Sequence, residues 1–412
     1  MNLRGLRTRL KSNPLLYRWV YNLRKHELNR RIANEQAAFE RQATKRGLST
    51  AEESPQIVFS RLKQRLLSRG IEWPPKPLLR PLHILYASTP GNWERHNIPP
   101  QLGQLGDVTC FFLEDEGISS IQGWDKARAK VDQKLPQFVQ ALHHQKPVDL
   151  MLSYLSGAQI SPNTIEAVAR LGIPTFSFHW DDRRAFYGRK VGGQWSGPGA
   201  VCNAYDLNLS NASASLIKYR MLGANALFWP EGANPNFFRP LDLPEKYDVS
   251  FCGQRYGIRP LMIDFLRKNG IRVDCFGQDW EHGYAGDSEL VTIFNQSKIN
   301  LGFGYVNEST DQCLKGRDFE VPACGSVYLT SYNDDLARVY RLGDEIETYR
   351  SFQECLLKVR ALLADNVRRT RIRQAARTAV LARHSWAARV QQLIDCHEHT
   401  SHAVSESGRS TP

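Results

Sequence analysis

The strongest constraint on the fold is an alternation of short apolar runs and helical patterns that extends from residue 81 to residue 383. Short buried runs separated by amphipathic helical stretches are typical of parallel strands joined by crossover helices. We interpret the runs as two series of strands: 83–88, 107–113, 149–155, 173–180 and 206–210, and then 248–253, 273–277 and 299–304. The sequence therefore predicts an α/β protein with two doubly wound parallel sheets.

Changes in composition divide the chain into segments. Pro-rich residues 73–77 end a basic helical region, and Pro, Gly and Asn residues near 229–235 mark the crossing between the two series of strands. The predicted segments are a basic helical extension and linker (1–80), a first domain (81–228), a second domain (229–383), a C-terminal helix (384–399) and a disordered Ser/Thr/Gly-rich tail (400–412).

The formal net charge of +12 belongs to the N-terminal extension. Residues 1–80 contain 18 Lys and Arg but only 6 Asp and Glu, so the remaining chain is neutral and a nucleic-acid-binding body is not expected. Within residues 1–32, leucines and a tryptophan recur at helical spacing between basic residues, a pattern that suits a helix on an anionic membrane surface. Two alternatives are a helical extension that packs on its own protein and an arm that binds nucleic acid.

Cysteine usage and hydropathy indicate the compartment. Eight cysteines are present without a C-x-x-C pair, mostly in strand-like contexts, which favours reduced core residues of a cytoplasmic protein. No apolar run is long enough for a transmembrane helix, and a signal peptide is not expected. The predicted location is cytoplasmic, peripheral on the inner face of the membrane if the N-terminal helices contact lipid.

Residues 313–330 form the most informative stretch. A short helical turn with Lys315, Arg317, Asp318 and Glu320 leads to Gly325, and a β-branched strand follows at once. These charges are therefore expected at the edge of a sheet, where open α/β folds bind ligands. Cations hold a phosphate and a carboxylate accepts from sugar hydroxyls, so the stretch suits a phosphorylated sugar or nucleotide.

Further cations are expected at the same edge. Arg255 follows the first strand of the second series and Arg259 opens the next helix, so a strand end, a helix start and two guanidinium groups converge on a site for a diphosphate. Lys298, before a buried strand, is a weaker candidate of the same kind. The alternative is that these are ordinary solvated surface cations.

The first domain offers candidates for chemistry. Gly91 follows the first strand and permits close backbone approach to a ligand, and His96 lies in the same loop as a candidate acid or base. Asp181 and Asp182 come at the end of a strand, where either carboxylate could deprotonate an acceptor hydroxyl, or the pair could cap the next helix. Their spacing is not D-x-D, and no metal is expected there or in the His-rich tail.

Four segments in this order resemble CgeB-type glycosyltransferases, within the group 1 glycosyl transferases: WPEGANPNFFRP (229–240), VSFCGQR (249–255), SKINLGF (297–303) and KGRDFEVPACGSVYLTS (315–331). The resemblance implies the GT-B architecture, with two Rossmann-like domains facing across a cleft and a last helix that returns to the first domain. It also implies that Glu320 contacts the ribose hydroxyls of a nucleotide. Relatives often carry another Glu eight positions earlier, where this chain has Gln312.

The predicted function is glycosyl transfer. The resemblance implies a UDP- or GDP-linked sugar donor, no cofactor, and a glycan, lipid-linked or protein acceptor in cell-surface or polysaccharide biosynthesis. Two alternatives keep the fold. One is a nucleotide-sugar epimerase or hydrolase, which needs no second substrate. The other is a non-catalytic binding protein tethered by its basic arm.

Overall fold

The computed structural model describes residues 14–74, 81–89 and 92–395, which divide into two compact units. Among the described residues, the N-terminal unit comprises those within Gln36–Asn234 and 383–395. The C-terminal unit comprises residues 14–35 together with Pro235–Ala382. The long helix Pro14–Lys45 contributes residues to both units, because the division falls after Glu35.

The N-terminal unit is built on a six-stranded parallel sheet in the order β2-β1-β3-β4-β7-β8. Its strands are β1 (Leu82–Ser88), β2 (Gly106–Phe112), β3 (Leu150–Tyr154), β4 (Thr175–His179), β7 (Leu207–Ser210) and β8 (Ala226–Phe228), and β5 (Lys190–Val191) and β6 (Gln194–Trp195) form a separate small hairpin. Every residue of β1 is buried, as expected for a strand covered by helices on both faces.

Helices cover both faces of this sheet. They are Pro55–Leu67, Asn92–Asn97, Pro99–Leu102, Trp124–Gln145, Pro162–Ala169, Asp182–Ala185, Leu216–Met221 and 386–395. In the longest, Ala127, Val131, Leu135 and Val139 recur at four-residue spacing and form the buried stripe. The C-terminal helix packs within this unit through Trp386, whose ring lies 5.6 Å from that of Trp229.

Part of the predicted N-terminal extension packs on the N-terminal unit in the structure. The helix Pro55–Leu67 buries Phe59 and Leu62 in the core of the N-terminal unit. Arg65 and Arg69 of the same region donate to the two carboxylate oxygens of the fully buried Asp206, at 2.9 and 2.7 Å. These two basic side chains of the predicted extension therefore neutralise a buried carboxylate, as in the alternative of an extension that packs on its own protein.

The C-terminal unit is built on a five-stranded parallel sheet in the order β10-β9-β11-β12-β13. The strands are β9 (Tyr247–Cys252), β10 (Val273–Phe276), β11 (Ser297–Leu301), β12 (Tyr328–Ser331) and β13 (Glu347–Tyr349). The helices, besides the first part of Pro14–Lys45, are Arg259–Lys268, Asp287–Asn295, Arg317–Ala323, Asp334–Val339, Phe352–Ala364 and Asn366–Ala379, and a π-helical turn, Val380–His384, follows. The predicted strand-and-helix alternation is confirmed in both units.

The cysteines within the described ranges form no disulfides. All seven cysteines within the described ranges are free, and six of them are buried. Burial raises the pKa of the Cys252 and Cys355 thiols to about 12, which keeps these two groups protonated. Among the described helices, none is long and apolar enough to cross a membrane.

Candidate functional site

In both sheets the strand order reverses beside the first strand, because the second strand lies on one side of it and the third on the other. In open α/β sheets ligands bind at this point, at the carboxyl ends of the strands. From β9 the chain passes to β10 on one side and then to β11 on the other, so a crevice is expected at the carboxyl ends of β9 and β11. Gly253 and Gly302 follow these two strands. A Cβ on Gly302 would lie 2.2 Å from the hydroxyl oxygen of Tyr328, so the chain tolerates no side chain there.

Arg317 and Glu320 form an ion pair beside this edge. The helix that carries them begins at Arg317, and the guanidinium donates to Oε2 of the carboxylate one turn later. The Glu320 side chain is 2% exposed and that of Arg317 is 33% exposed. Burial alone lowers the pKa of Arg317, but the neighbouring carboxylate outweighs burial and leaves the pKa above its usual value. The cation is therefore held in place and still reaches solvent.

Arg259 lies close to this pair. It opens the helix Arg259–Lys268, donates to the backbone oxygen of Gln254 at 3.0 Å, and places its guanidinium carbon 4.1 Å from the ring centre of Tyr256. Burial lowers its pKa, and the positive charge of Arg317 lowers it further. Two guanidinium groups thus repel each other at the carboxyl edge of the sheet, and a bound anion would relieve that repulsion.

Arg255 takes a different environment from the one predicted for it. Its guanidinium carbon lies 5.3 Å from the ring centre of Trp280 and 5.9 Å from that of Tyr17. The Tyr17 hydroxyl also donates to the backbone oxygen of Gly257 at 2.9 Å. Arg255 therefore packs between aromatic rings at the point where the N-terminal helix contacts the loop after β9, and a role towards phosphate stays a prediction.

The two lysines predicted for the site lie in different places. Lys315 precedes the helix of Arg317, and its Nζ lies 3.1 Å from the Cys313 sulfur. Lys298 lies near the start of β11, where its Nζ pairs with Asp248 at 2.6 Å near the start of β9. The starts of parallel strands form the edge opposite to their carboxyl ends, so Lys298 is not grouped with Arg259 and Arg317.

The N-terminal unit has its own crevice at the carboxyl edge of its sheet. A cavity of about 240 Å³ is lined by residues at or after the ends of β1, β3 and β4, including Tyr154, His179, Trp180 and Asp181. His179 is buried, burial lowers its pKa to about 3, and its Nε2 has no hydrogen-bond partner among the described residues. The imidazole is therefore neutral, and its Nε2 is available to a ligand or water beside the cavity.

The two adjacent aspartates have different surroundings. Asp181 is exposed and lines the cavity. Asp182 is 1% exposed, and its Oδ2 accepts from the Tyr219 hydroxyl at 2.8 Å. Burial raises the pKa of Asp182. Hydrogen bonds from Ser210 and Tyr219 lower this pKa but do not outweigh burial. Asp181 is thus the better placed of the two to meet a substrate, whereas Asp182 is part of the packing.

The segment after β1, which includes the helix Asn92–Asn97, contains one predicted residue within the described ranges and one outside them. His96 is exposed, and its backbone oxygen accepts from Asn234 Nδ2 at 2.7 Å. Gly91 lies outside the described residues, as do residues 1–13 and the His-rich tail. Within the described chain, no cluster of three or more His, Cys, Asp and Glu side chains could hold a metal ion.

Glu94, in the short helix Asn92–Asn97 that follows β1, was not among the predicted site residues. Glu94 is 3% exposed and accepts a hydrogen bond of 2.5 Å from Ser88, the last residue of β1. Burial raises the pKa of Tyr154, and the charges of Asp181 and Glu94 raise it further. The only sequence signal for this pair was the six-residue spacing between Ser88, which ends β1, and Glu94. Neither residue type is unusual at its position.

Comparison with solved structures reveals the fold. A glycosyltransferase from Rickettsia africae ESF-5 superposes with a TM-score of 0.51 at 10% identity, covering 78% of this chain and 99% of that one. A sucrose-phosphate synthase from Thermosynechococcus elongatus gives 0.53 at 14% identity, with 78% and 100% covered. The N-terminal domain of a Candida albicans trehalose-6-phosphate phosphatase gives 0.52 at 9% identity, with 78% and 98% covered.

The chain has the GT-B fold. This confirms the predicted class of two Rossmann-like α/β units with an N-terminal helical region, because the full length of each neighbour is matched. Residues 259–395, about a third of the chain, match a family described as glycosyl transferase-like. No curated protein sequence matches the chain. The glycosyl transferase-like segment includes Arg259, Arg317 and Glu320, while the CgeB type stays a prediction.

Proposed function

We propose that this chain is a glycosyltransferase that takes a sugar from a nucleotide-sugar donor and transfers it to an acceptor hydroxyl of a glycan, lipid-linked or protein substrate. One observation carries the proposal. Within the glycosyl transferase-like segment, the Arg317–Glu320 pair and Arg259 lie beside the carboxyl edge of a doubly wound sheet. This combination of fold, edge and charge suits a nucleoside diphosphate.

The donor-side residues take distinct roles in this proposal. Arg259 and Arg317 hold the diphosphate and stabilise the negative charge that develops on it as the sugar leaves, so that the site needs no metal for this purpose. Glu320 fixes Arg317 through their ion pair and accepts hydrogen bonds from the ribose hydroxyls, as the family resemblance implies. A UDP- or GDP-linked sugar provides both chemical groups.

The acceptor-side residues belong to the N-terminal unit. Its cavity combines aromatic rings, hydroxyl groups and a neutral imidazole, which suits a sugar with many hydroxyls. The exposed carboxylate of Asp181 takes the proton from the attacking acceptor hydroxyl. Asp182 accepts a hydrogen bond from Tyr219 and so helps to hold the neighbouring Asp181 in position.

A ligand screen tests the donor site. Because a ligand that binds only the folded chain raises its apparent stability, UDP, GDP and their sugar conjugates are compared by thermal shift, and the best binder is measured by calorimetry. We expect Arg317→Ala and Arg259→Ala to weaken binding about tenfold to a hundredfold, the effect of losing a charge-assisted hydrogen bond of about 1.5–3 kcal/mol. Lys298→Ala, which removes a cation at the opposite edge of the same sheet, is the matched control.

A second comparison distinguishes the proposed role of Glu320 at the ribose from that of Arg317 at the diphosphate. Arg317→Ala should weaken the binding of the nucleotide and of inorganic pyrophosphate by similar factors. Glu320→Gln should weaken the binding of the ribose-containing nucleotide more than the binding of pyrophosphate. A chain that binds none of these ligands would refute the donor site and favour a non-catalytic protein. Product analysis without an acceptor then separates a transferase from an epimerase or hydrolase, which turn over the donor alone.

A further inference from the structure

One face of the N-terminal helix is fixed to the C-terminal unit. Tyr17 donates to the Gly257 backbone, Arg24 pairs with Glu308 at 3.5 Å, and Asn29 accepts from the Thr310 backbone at 2.9 Å. Tyr21 is 6% exposed on the same face. Burial raises the pKa of Tyr17 to about 12, which agrees with a docked hydroxyl. The first part of the helix is therefore packed on the C-terminal unit through specific contacts.

A second face of the same helix carries large apolar side chains in contact with solvent. Leu16, Trp19 and Leu23 are 40%, 61% and 53% exposed. Their spacing of three and four residues places them on one stripe, which lies about 130° around the helix axis from the stripe of Tyr17, Tyr21 and Arg24. Three neighbouring large apolar groups, one a tryptophan, are unusual on a surface that contacts only water.

The charge around this stripe favours one partner. Residues 1–35 contain nine Lys and Arg but only two Glu. Arg18, Arg30 and Arg31 are exposed along the described part of the helix. Exposed apolar side chains and cations on one helix match the two layers of an anionic bilayer surface, since apolar groups can enter the headgroup–acyl boundary while cations remain among the phosphates.

We propose that the helix surface of Leu16, Trp19 and Leu23, together with the exposed arginines of the same helix, docks the C-terminal unit on an anionic lipid bilayer. Tryptophan is favoured at the membrane interface because its ring is apolar and its N–H is polar. The docked face keeps its contacts with the loop after β9, so lipid contact needs no unfolding of the helix. A nucleic acid would be held by the cations alone and would leave the apolar stripe unused.

Vesicle binding by the full chain tests the proposal, which does not depend on the activity proposed above. Co-sedimentation is compared for vesicles of phosphatidylcholine alone and for vesicles in which a quarter of the lipid is phosphatidylglycerol. We expect binding to the anionic vesicles only, and at least about tenfold weaker binding for Trp19→Ser/Leu23→Ser. Leu357→Ser/Val367→Ser is the matched control, because these two apolar side chains are 57% and 81% exposed elsewhere on the same unit.

A second measurement keeps the test decisive if the double variant folds poorly. Lipids brominated near the headgroup should quench part of the tryptophan fluorescence of the wild-type chain, and Trp19→Phe should abolish that quenched part. Equal binding to both vesicle types, unchanged binding by the apolar variant, or no quenching would overturn the proposal. Binding of duplex DNA that competes with vesicles and is insensitive to the apolar substitutions would assign the surface to nucleic acid instead.

Discussion

Replacing Asp318 with Asn tests whether the helix beside the proposed donor site holds a carboxyl group that burial keeps partly protonated. Asp318 is 1% exposed and follows Arg317 directly. Burial raises its pKa from 3.8 to about 7, although the Lys315 backbone N–H donates to Oδ2 at 2.8 Å and the Tyr328 hydroxyl lies beside the same group. The carboxyl oxygen that accepts from Lys315 has a counterpart in the amide, so Asn preserves this contact.

The sign of the pH dependence follows from proton binding. Between pH 3.8 and about 7 the folded chain keeps a proton that the unfolded chain has lost. Stability contributed by this group therefore falls as pH rises through that window, and no further change occurs above it. A difference of roughly three pKa units corresponds to about 4 kcal/mol, which is the largest effect that this substitution should produce.

Urea-induced unfolding at several pH values measures the effect. Asp318→Asn should be more stable than the wild type above about pH 7, and the difference should shrink steadily towards about pH 4. Asp242→Asn, an exposed substitution in the same unit, should show no comparable trend. Parallel stability curves for wild type and Asp318→Asn would refute the reasoning, because they would mean that the carboxyl group titrates alike in the folded and unfolded chains.

Three further predictions concern the two cores. Burial lowers the pKa of His179 to about 3, so the folded chain resists its protonation and stability contributed by this group is lost as pH falls below about 6.5. His179→Gln should reduce this acid sensitivity in denaturation midpoints. Gly302→Ala places a methyl group 2.2 Å from the Tyr328 hydroxyl oxygen and should destabilise the C-terminal unit by about 1–3 kcal/mol in urea unfolding. Trp386→Ala should cost about 3–5 kcal/mol, since the ring is 1% exposed beside Trp229, and unchanged thermal stability would contradict its place in the core.

Local sequence patterns were sufficient for much of the candidate donor site. Residues 313–330 predict a helix, a glycine stop and a strand, and the structure has the helix Arg317–Ala323, Gly325 at φ 62° and β12. The three-residue spacing of Arg317 and Glu320 brings their side chains together on one helical turn. These features depend on neighbours in sequence, so the chain itself specifies them.

Side chains that face distant parts of the chain could not be assigned from the sequence. The guanidinium carbon of Arg255 lies 5.9 Å from the ring centre of Tyr17, a residue far away along the chain, and its predicted role towards phosphate stays a prediction. Arg65 and Arg69 were read as part of a basic arm, yet they neutralise the buried Asp206. In each case a charge has several acceptable partners, and local spacing does not say which one folding brings near.

The sequence by itself determined the two parallel sheets, because strands that must be buried on both faces need apolar residues throughout and helical crossovers between them. Only the tertiary structure decided which polar groups lie at the carboxyl edges, including Glu94 beside Ser88 and the Nε2 of His179, which has no hydrogen-bond partner within the described ranges. It also decided which face of the N-terminal helix is covered and which carries Trp19 to solvent. The physical reason is that burial fixes a hydrophobic period within one element, whereas the partner of a charge or an exposed ring depends on elements that are adjacent only after folding.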